Sequence, residues 1–550
     1  SLMKIIAGQH SSLYRVFPIP CTRTHISPFI SLLESVTNDA CDQIKASDGT
    51  RHTYTILLAP RITSLCVSAL EDAGVYGSVD VQPFPLEFLT LERDVLSLEY
   101  ENSYKSLFMD EDYGSVFDMG KALITFQQVY GLIPNIVGKG NAAQRLINIM
   151  TRLRDELPST SALTPGAADS LIIIDRQVDP VTPLCTQLTY EGLVDELVGI
   201  RNAHVEVDPA LVNPPPNALP SPSTALTSIP TQAKRKKLLL SSQADPLFGE
   251  LRDKNFAVVG TVLNRVAKRI NSDYEGIHQA QTITQIKGFV GRLGGLQAEH
   301  QSLRLHTGLT EEIMKTTMTD EFNRALEIQQ NIIAGLDLSA QEAGIRDLMN
   351  KEADPTTILR LLCLYSQISG GLKPKVLEEF QREFLQTYGY HHIPQLVALG
   401  NLGLLTKPIS GKSPFVQSRK PLRLVVDEVD EQAPDDISYV YSGYAPLSVR
   451  LVQGALGRNG AFLGWRSIEE ALKPLPGKSV EVKQKVDEET RGRAMMHDQS
   501  PVTVVCFLGG CTYTEISALR FVSNQGKGGR KIVVCTTGII NGSNMVKSLL

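Results

Sequence analysis
Two kinds of hydrophobic pattern alternate along this chain. Short, nearly continuous apolar runs stand at 54–59 (YTILLA), 171–174 (LIII), 422–426 (LRLVV), 502–508 (VTVVCFL) and 532–535 (IVVC). Runs of this length without polar alternation predict strands covered on both faces. From Phe248 to about Leu405 they vanish and a helical period takes over. Ile283, Ile286, Val290, Leu293 and Leu296 step by 3, 4, 3 and 3, one stripe of a helix that Gly294-Gly295 weakens near its end. With Phe322, Leu326 and Ile333 following, 281–333 is expected to form a long antiparallel helical hairpin. A helical block thus interrupts an α/β pattern that resumes after it.

The stretch 170–196, SLIIIDRQVDPVTPLCTQLTYEGLVDE, carries the sharpest transition, an apolar strand ending in charges and two prolines. Sites of open α/β sheets usually lie at such carboxyl ends. Asp175 and Asp179 there invite an alternative reading, a metal- or nucleotide-dependent phosphoryl-transfer enzyme. Their spacing of four, Gln177 where a second ligand would stand and Arg176 between them oppose it. Arg176 is expected to pair with Asp175 or Asp179, while Pro180 and Pro183 fix the exit turn. Gly411-Lys412-Ser413 and Gly477-Lys478-Ser479 lack the first glycine of a phosphate-binding loop. Gly138-Lys139-Gly140-Asn141-Ala142-Ala143 matches a dinucleotide turn, but with Pro134 ahead of it no strand is expected to lead in. His391-His392 has no ligand spacing around it, so neither metal nor cofactor is expected.

Composition narrows the class. At 550 residues and 42% hydrophobic, the chain can bury several cores. A net charge of −5 provides no overall field for nucleic acid. The eight cysteines include no C-x-x-C and several sit inside apolar runs, which points to a reducing, cytosolic setting. No apolar run approaches the ~20 residues of a membrane span, so membrane contact is expected only through partners. Residues 205–247, with Pro214-Pro215-Pro216, many serines and the run 234–237 (KRKK), read as a mobile loop. The acidic, aromatic-bearing stretch 91–116 reads as alternating surface elements. Tyr388, Tyr390 and Ile393 suit partner anchoring, and Tyr441, Tyr444 and Pro446 suit a packed turn.

Taken together, DRQVDPVTPLCTQLTYEGLVDE, YVYSGYAPLSVR at 439–450 and VVCFLGGCTYTEISALR at 504–520 resemble the Sec/Munc (SM) family of SNARE regulators, in family order across the whole chain. ISYVYSGYAPLSVR with GWRSIEEAL at 464–472 looks most like its vacuolar protein sorting branch, the SM subunit of the HOPS and CORVET tethering complexes. The resemblance implies an arch-shaped multidomain α/β fold with two parallel-sheet domains. The first would be 1–158, the second 165–247 with 421–550, and the inserted helical domain 248–420, divided into 3a (248–355, with hairpin 281–333) and 3b (356–420). It further implies a non-enzymatic template holding Qa and R SNARE motifs side by side for fusion at vacuole, lysosome or late endosome. Gln285, Lys287, Arg292 and Glu299 are the expected SNARE contacts. Tyr388, Tyr390 and Ile393 would dock an α-solenoid partner of the complex. Asp175, Arg176, Asp179, Pro180 and Pro183 would be structural.

Overall fold
The computed structural model describes residues 3–6, 13–18, 54–59, 62, 64–72, 74, 76–84, 86–156, 166–209, 235–278, 283–408, 413–457, 460–484, 501–525 and 529–550. Side chains of 274–293, within a helical pair, lie outside the described residues. The chain forms two compact units, residues 1–89 with 98–100, and residues 90–97 with 101–550. In the first, strands β1 (Met3–Ile6), β2 (Leu13–Pro18), β3 (Tyr54–Ala59) and β4 (Val79–Pro83) form a sheet in sequence order. β1 is antiparallel to β2, and β2, β3 and β4 run parallel. The connection from β3 to β4 is helix α1 (Ser64–Asp72), whose Cys66 and Leu70 are buried.

The second unit is built on a seven-stranded sheet. Its strands are β5 (Leu89–Glu92), β6 (Val95–Ser97), β7 (Asn135–Lys139), β8 (Ala168–Asp175), β12 (Ser479–Lys483), β13 (Val502–Leu508) and β14 (Lys531–Thr536). Their order is β12-β7-β8-β13-β14-β6-β5, parallel from β7 to β6, with β12 antiparallel on β7. Leu171, Ile172, Ile173 and Ile174 of β8 have no exposed surface, as expected of a strand covered on both faces. Each such side chain contributes roughly 1.5–3 kcal/mol. Strands from both sides of residue 158 therefore share one sheet. Helices α2 (Gly114–Tyr130) and α3 (Asn141–Asp155) connect within it and pack on each other.

Between β8 and β12 stand a small antiparallel sheet and the helices. The sheet joins β9 (Ile200–Arg201), β10 (His204–Val207) and β11 (Lys236–Leu239), so both ends of the proline-rich segment are paired strands. Residues 210–234 lie outside the described residues. The helices are α4 (Phe256–His278), α5 (Ile283–Thr317), α6 (Asp320–Ala334), α7 (Leu338–Asn350), α8 (Pro355–Ser369), α9 (Pro374–Tyr388) and α10 (Ile393–Asn401). After them come α11 (Leu447–Leu456) and α12 (Tyr513–Gln525).

Four readings from the sequence need correction. A strand, β7, does lead into the Gly138–Ala143 turn, since the extended backbone that Pro134 favours continues as a strand paired on both sides, by β12 and β8. Residues 422–426 make no strand, because Arg423 has φ of 49° and only a bridge from Val425 to Tyr444 remains. The 91–116 stretch supplies β6 and the buried Val95, Tyr104 and Leu107 instead of surface alone. The long helical pair is α4 with α5, which pack on each other, and α5 runs on through Gly294-Gly295 to Thr317.

Candidate functional site
The charged end of β8 is a closed knot. Asp175 accepts from the N–H of Gln177 at 3.0 Å and of Ala142 at 2.8 Å, the latter at the first turn of α3. A helix N-terminus attracts anions, and here the chain's own carboxylate fills the place a dinucleotide phosphate would take. Gly140, with φ of 111°, makes this possible, since a Cβ there would stand 2.2 Å from that of Asp175. Burial raises the Asp175 pKa, partly countered by these N–H groups.

Arg176 turns away from both aspartate carboxylates. Its Nη2 meets Glu515 Oε1 and Oε2 at 3.0 and 2.8 Å, and its remaining N–H groups reach the carbonyls of Gly510 and Asp179. The expected pairing with Asp175 or Asp179 is thus replaced by one with Glu515, because α12 begins beside the strand end. Burial opposes the guanidinium charge, but Glu515 and Asp179 more than offset it and hold Arg176 charged. Asp179 accepts from Thr182 N–H and Oγ1 at 3.1 and 2.6 Å and from Ser448 N–H at 2.9 Å. Ser448 Oγ donates to Glu515 in turn. The Tyr441 hydroxyl donates to the Thr182 carbonyl at 3.1 Å and the Tyr444 hydroxyl lies 3.0 Å from Thr182 Oγ1. Pro180 precedes the short turn 181–184, Pro183 lies within it, and Pro446 stands at the start of α11.

The three sequence segments singled out above meet in this one buried network. With Asp175, Arg176, Asp179 and Glu515 all at most 1% exposed, it offers no surface to a substrate. Asp175 already holds N–H donors and Asp179 both N–H and O–H donors, and among the described residues no group of three or more His, Cys, Asp or Glu is arranged to hold a metal ion.

Accessible features lie in the helices instead. Val259, Val262, Leu263, Val266 and Ile270 bury one face of α4. Beyond them Asn271 to Asp273 on α4 and Gln297 to Gln301 on α5 are exposed. Arg269 Nη2 and Glu299 Oε2 pair across the two helices at 2.6 Å. Glu299, named as a contact residue, is thus on the surface but engaged. The side chains of Gln285, Lys287 and Arg292 lie outside the described residues.

The root of the pair is clamped through His306 of α5, which is fully buried. Its Nδ1 lies 2.7 Å from the Tyr190 hydroxyl and its Nε2 3.0 Å from Asp245, which Ser302 also reaches at 2.7 Å. Asp245 also caps the helix 246–251. Burial opposes the Asp245 charge, yet His306 and Ser302 hold its pKa down at about 2.

A second surface sits on the turn before α10. Tyr390, Ile393 and Val397 are 69, 45 and 56% exposed and share one face at i, i+3 and i+7. Val397 was not singled out from the sequence, although its helical spacing from Ile393 was the available signal. Tyr388 departs from this face, its ring 4.8 Å from that of Phe384 and its hydroxyl donating to the Ala353 carbonyl at 2.5 Å. Buried His392 and Gln395 hold the turn in place, and Gln395 donates to the Val546 carbonyl at 2.8 Å.

With this arrangement in view, comparison with known proteins is direct. The profile described as the Sec1 family matches residues 16–548. The chain belongs to the Sec1 family. It is 39% identical over 526 residues to rat vacuolar protein sorting-associated protein 33A, covering 96% of this chain and 86% of the relative. The Arabidopsis thaliana vacuolar protein-sorting-associated protein 33 homolog is 33% identical over 537 residues, covering 96% and 85%. Among solved structures, the SM protein Vps45 in complex with the Qa SNARE Tlg2 superposes with a TM-score of 0.59 at 17% identity, covering 96% of this chain and 84% of that one. Sly1p in complex with an N-terminal peptide of Sed5p gives 0.59 at 14% identity, covering 91% and 85%. These likenesses establish an SM-type α/β fold.

Proposed function
We propose that this chain is a SNARE-binding template in vacuolar protein sorting, acting within a HOPS- or CORVET-type tethering complex. The observation that carries this reading is the α4–α5 pair, rooted in a packed core at His306 and solvent-exposed along its described outer part. Two adjacent helices with exposed flanks offer a track for amphipathic helices, and binding a disordered SNARE motif there prepays part of its ordering entropy. Gln285, Lys287, Arg292 and Glu299 are the proposed contacts, and Qa and R motifs the proposed occupants. The reading is non-enzymatic and agrees with relatives named for sorting rather than for a reaction. The domains 1–158, 165–247 with 421–550, and 248–420 are proposed as its functional divisions.

Tyr390 and Ile393 are proposed to dock the α-solenoid subunit of the complex, with Tyr388 supporting the turn. Among the described residues no helix is long and apolar enough to cross a membrane. Attachment to vacuolar, lysosomal and late endosomal membranes through partners is part of the proposal.

A pull-down with two variants of the full chain tests both surfaces. Replacing 271–300 by a short glycine-serine linker should abolish capture of isolated SNARE motifs while leaving the tether subunit bound. Tyr390→Asp should do the reverse. Unchanged SNARE capture by the linker variant would remove the template reading.

A further inference from the structure
Two glycine-lysine turns that this function leaves unused meet at the edge of the large sheet. Gly140 N–H donates to the Lys478 carbonyl at 2.9 Å, and Lys139 Nζ donates to the Gly477 carbonyl at 2.7 Å. A Cβ on Gly138 would meet Ile147 and Ala143 of α3, so Gly138 faces that helix. Side chains alternate along a strand, and Lys139 therefore faces the opposite side. There a cleft of about 420 Å³ opens between β12 and residues 465–475, within the size range of small-molecule sites. Trp465 and Leu475 supply apolar wall, while Arg466, Glu469 and Glu481 are exposed at its lip.

Among the described residues the charge at its base has no counter-ion. Lys139 is 3% exposed, yet its ammonium uses one carbonyl acceptor and pairs with no carboxylate among the described residues. An ammonium has three N–H donors, and a buried one is costly without an anion beside it. Burial accordingly lowers its pKa. Among the described residues the side chains of Arg466, Glu469 and Glu481 also form neither ion pair nor hydrogen bond. Among the described residues the lip thus carries a planar fork and two carboxylates outside any ion pair, Glu469 facing the field of the Lys473 ammonium, over a buried cation.

We propose that this cleft binds a phosphorylated polyol, a sugar phosphate or nucleoside monophosphate, its phosphate received by Lys139 and Arg466 and its hydroxyls by Glu469 and Glu481. A lysine point charge joined to an arginine fork suits a phosphate monoester. Carboxylates that accept ribose-type hydroxyls are a known device of nucleotide sites. Because the two glutamates are exposed, their repulsion of the phosphate is screened. The N-terminus of α3, the other anion-seeking feature of this corner, is already occupied by Asp175.

Trp465 is the only tryptophan in the chain and lines the cleft, so its emission reports occupancy directly. The full chain is titrated with ribose 5-phosphate, adenosine monophosphate, ribose and inorganic phosphate, following Trp465 fluorescence and heat. One or both phosphate esters should saturate the signal, and whichever does so names the source. Ribose should give none, and inorganic phosphate should bind at least tenfold more weakly because nothing of it satisfies the glutamates. Arg466→Ala, at an exposed unpaired position, should weaken the ester at least tenfold without altering the unfolding midpoint. Lys139→Met should abolish binding. If Lys139→Met fails to fold, Arg466→Ala and Glu469→Gln decide alone, the latter weakening the ester and not inorganic phosphate. No response to either ester at about 10 mM would overturn the assignment, a concentration that still detects millimolar affinity. So would binding that Arg466→Ala leaves unchanged, or equal affinity for inorganic phosphate.

Discussion
The Arg176 guanidinium and the Glu515 carboxylate have no exposed surface, so each is stabilised by the other and by Gly510, Thr512 and Ser448. Removing one partner strands a buried charge. Glu515→Ala should therefore destabilise the chain by about 3–5 kcal/mol in urea unfolding, and a loss below about 1 kcal/mol would contradict the pairing. Asp195 makes stability depend on pH. Burial pushes its carboxyl up to about 7, against about 3.9 in an unfolded chain. Its contribution is full below about pH 4 and is lost as pH rises toward 7, because the unfolded chain ionises first. Asp195→Asn should thus raise the unfolding midpoint at pH 8 more than at pH 5. An equal effect at both would show that Asp195 is ionised in the fold throughout. The sequence made Asp175, Arg176 and Asp179 readable as a strand end, but Glu515 stands 339 positions from Arg176 and nothing local signals that contact.

Element identity followed from pattern wherever burial was two-sided. β8, β13 and β14 stood out as apolar runs, and their register in one sheet explains why the helical block reads as an insertion. β7 was missed because its five residues carry Gly138 and Lys139, which weaken the apolar signal, and pairing on both edges overrides that weakness. The helical pair was found but placed one helix too late, since the polar, charged outer face of α4 hides its buried stripe. Gly294 and Gly295 have open space where a Cβ would stand, so they can be replaced without a clash. Each costs about 1 kcal/mol of helix stability relative to alanine. Gly294→Ala with Gly295→Ala should therefore slow amide hydrogen exchange in the outer part of α5 several-fold. Unchanged exchange would mean that contacts with α4 already fix this part of the helix.

For the whole molecule, the family and the fold were legible from three motifs, and the structure adds that all three converge on one interior knot with no access to solvent. Those motifs therefore hold the large sheet, its exit turn and α11 together, while the proposed binding surfaces are exposed helical features whose residues carry weak sequence signals. Tyr390 and Ile393 could be singled out because large apolar side chains beside a glycine turn are unusual on a surface, whereas polar contact residues on α5 look like any solvated face. The central claim is that the α4–α5 pair holds two SNARE motifs together. Its most direct test is the affinity of an isolated R motif for the full chain, measured by calorimetry with and without a saturating Qa motif. Side-by-side templating predicts at least tenfold tighter R binding on the Qa-loaded chain, about 1.4 kcal/mol of coupling, that disappears when 271–300 is replaced by a linker. Equal affinity in both states, or competition between the two motifs, would contradict it.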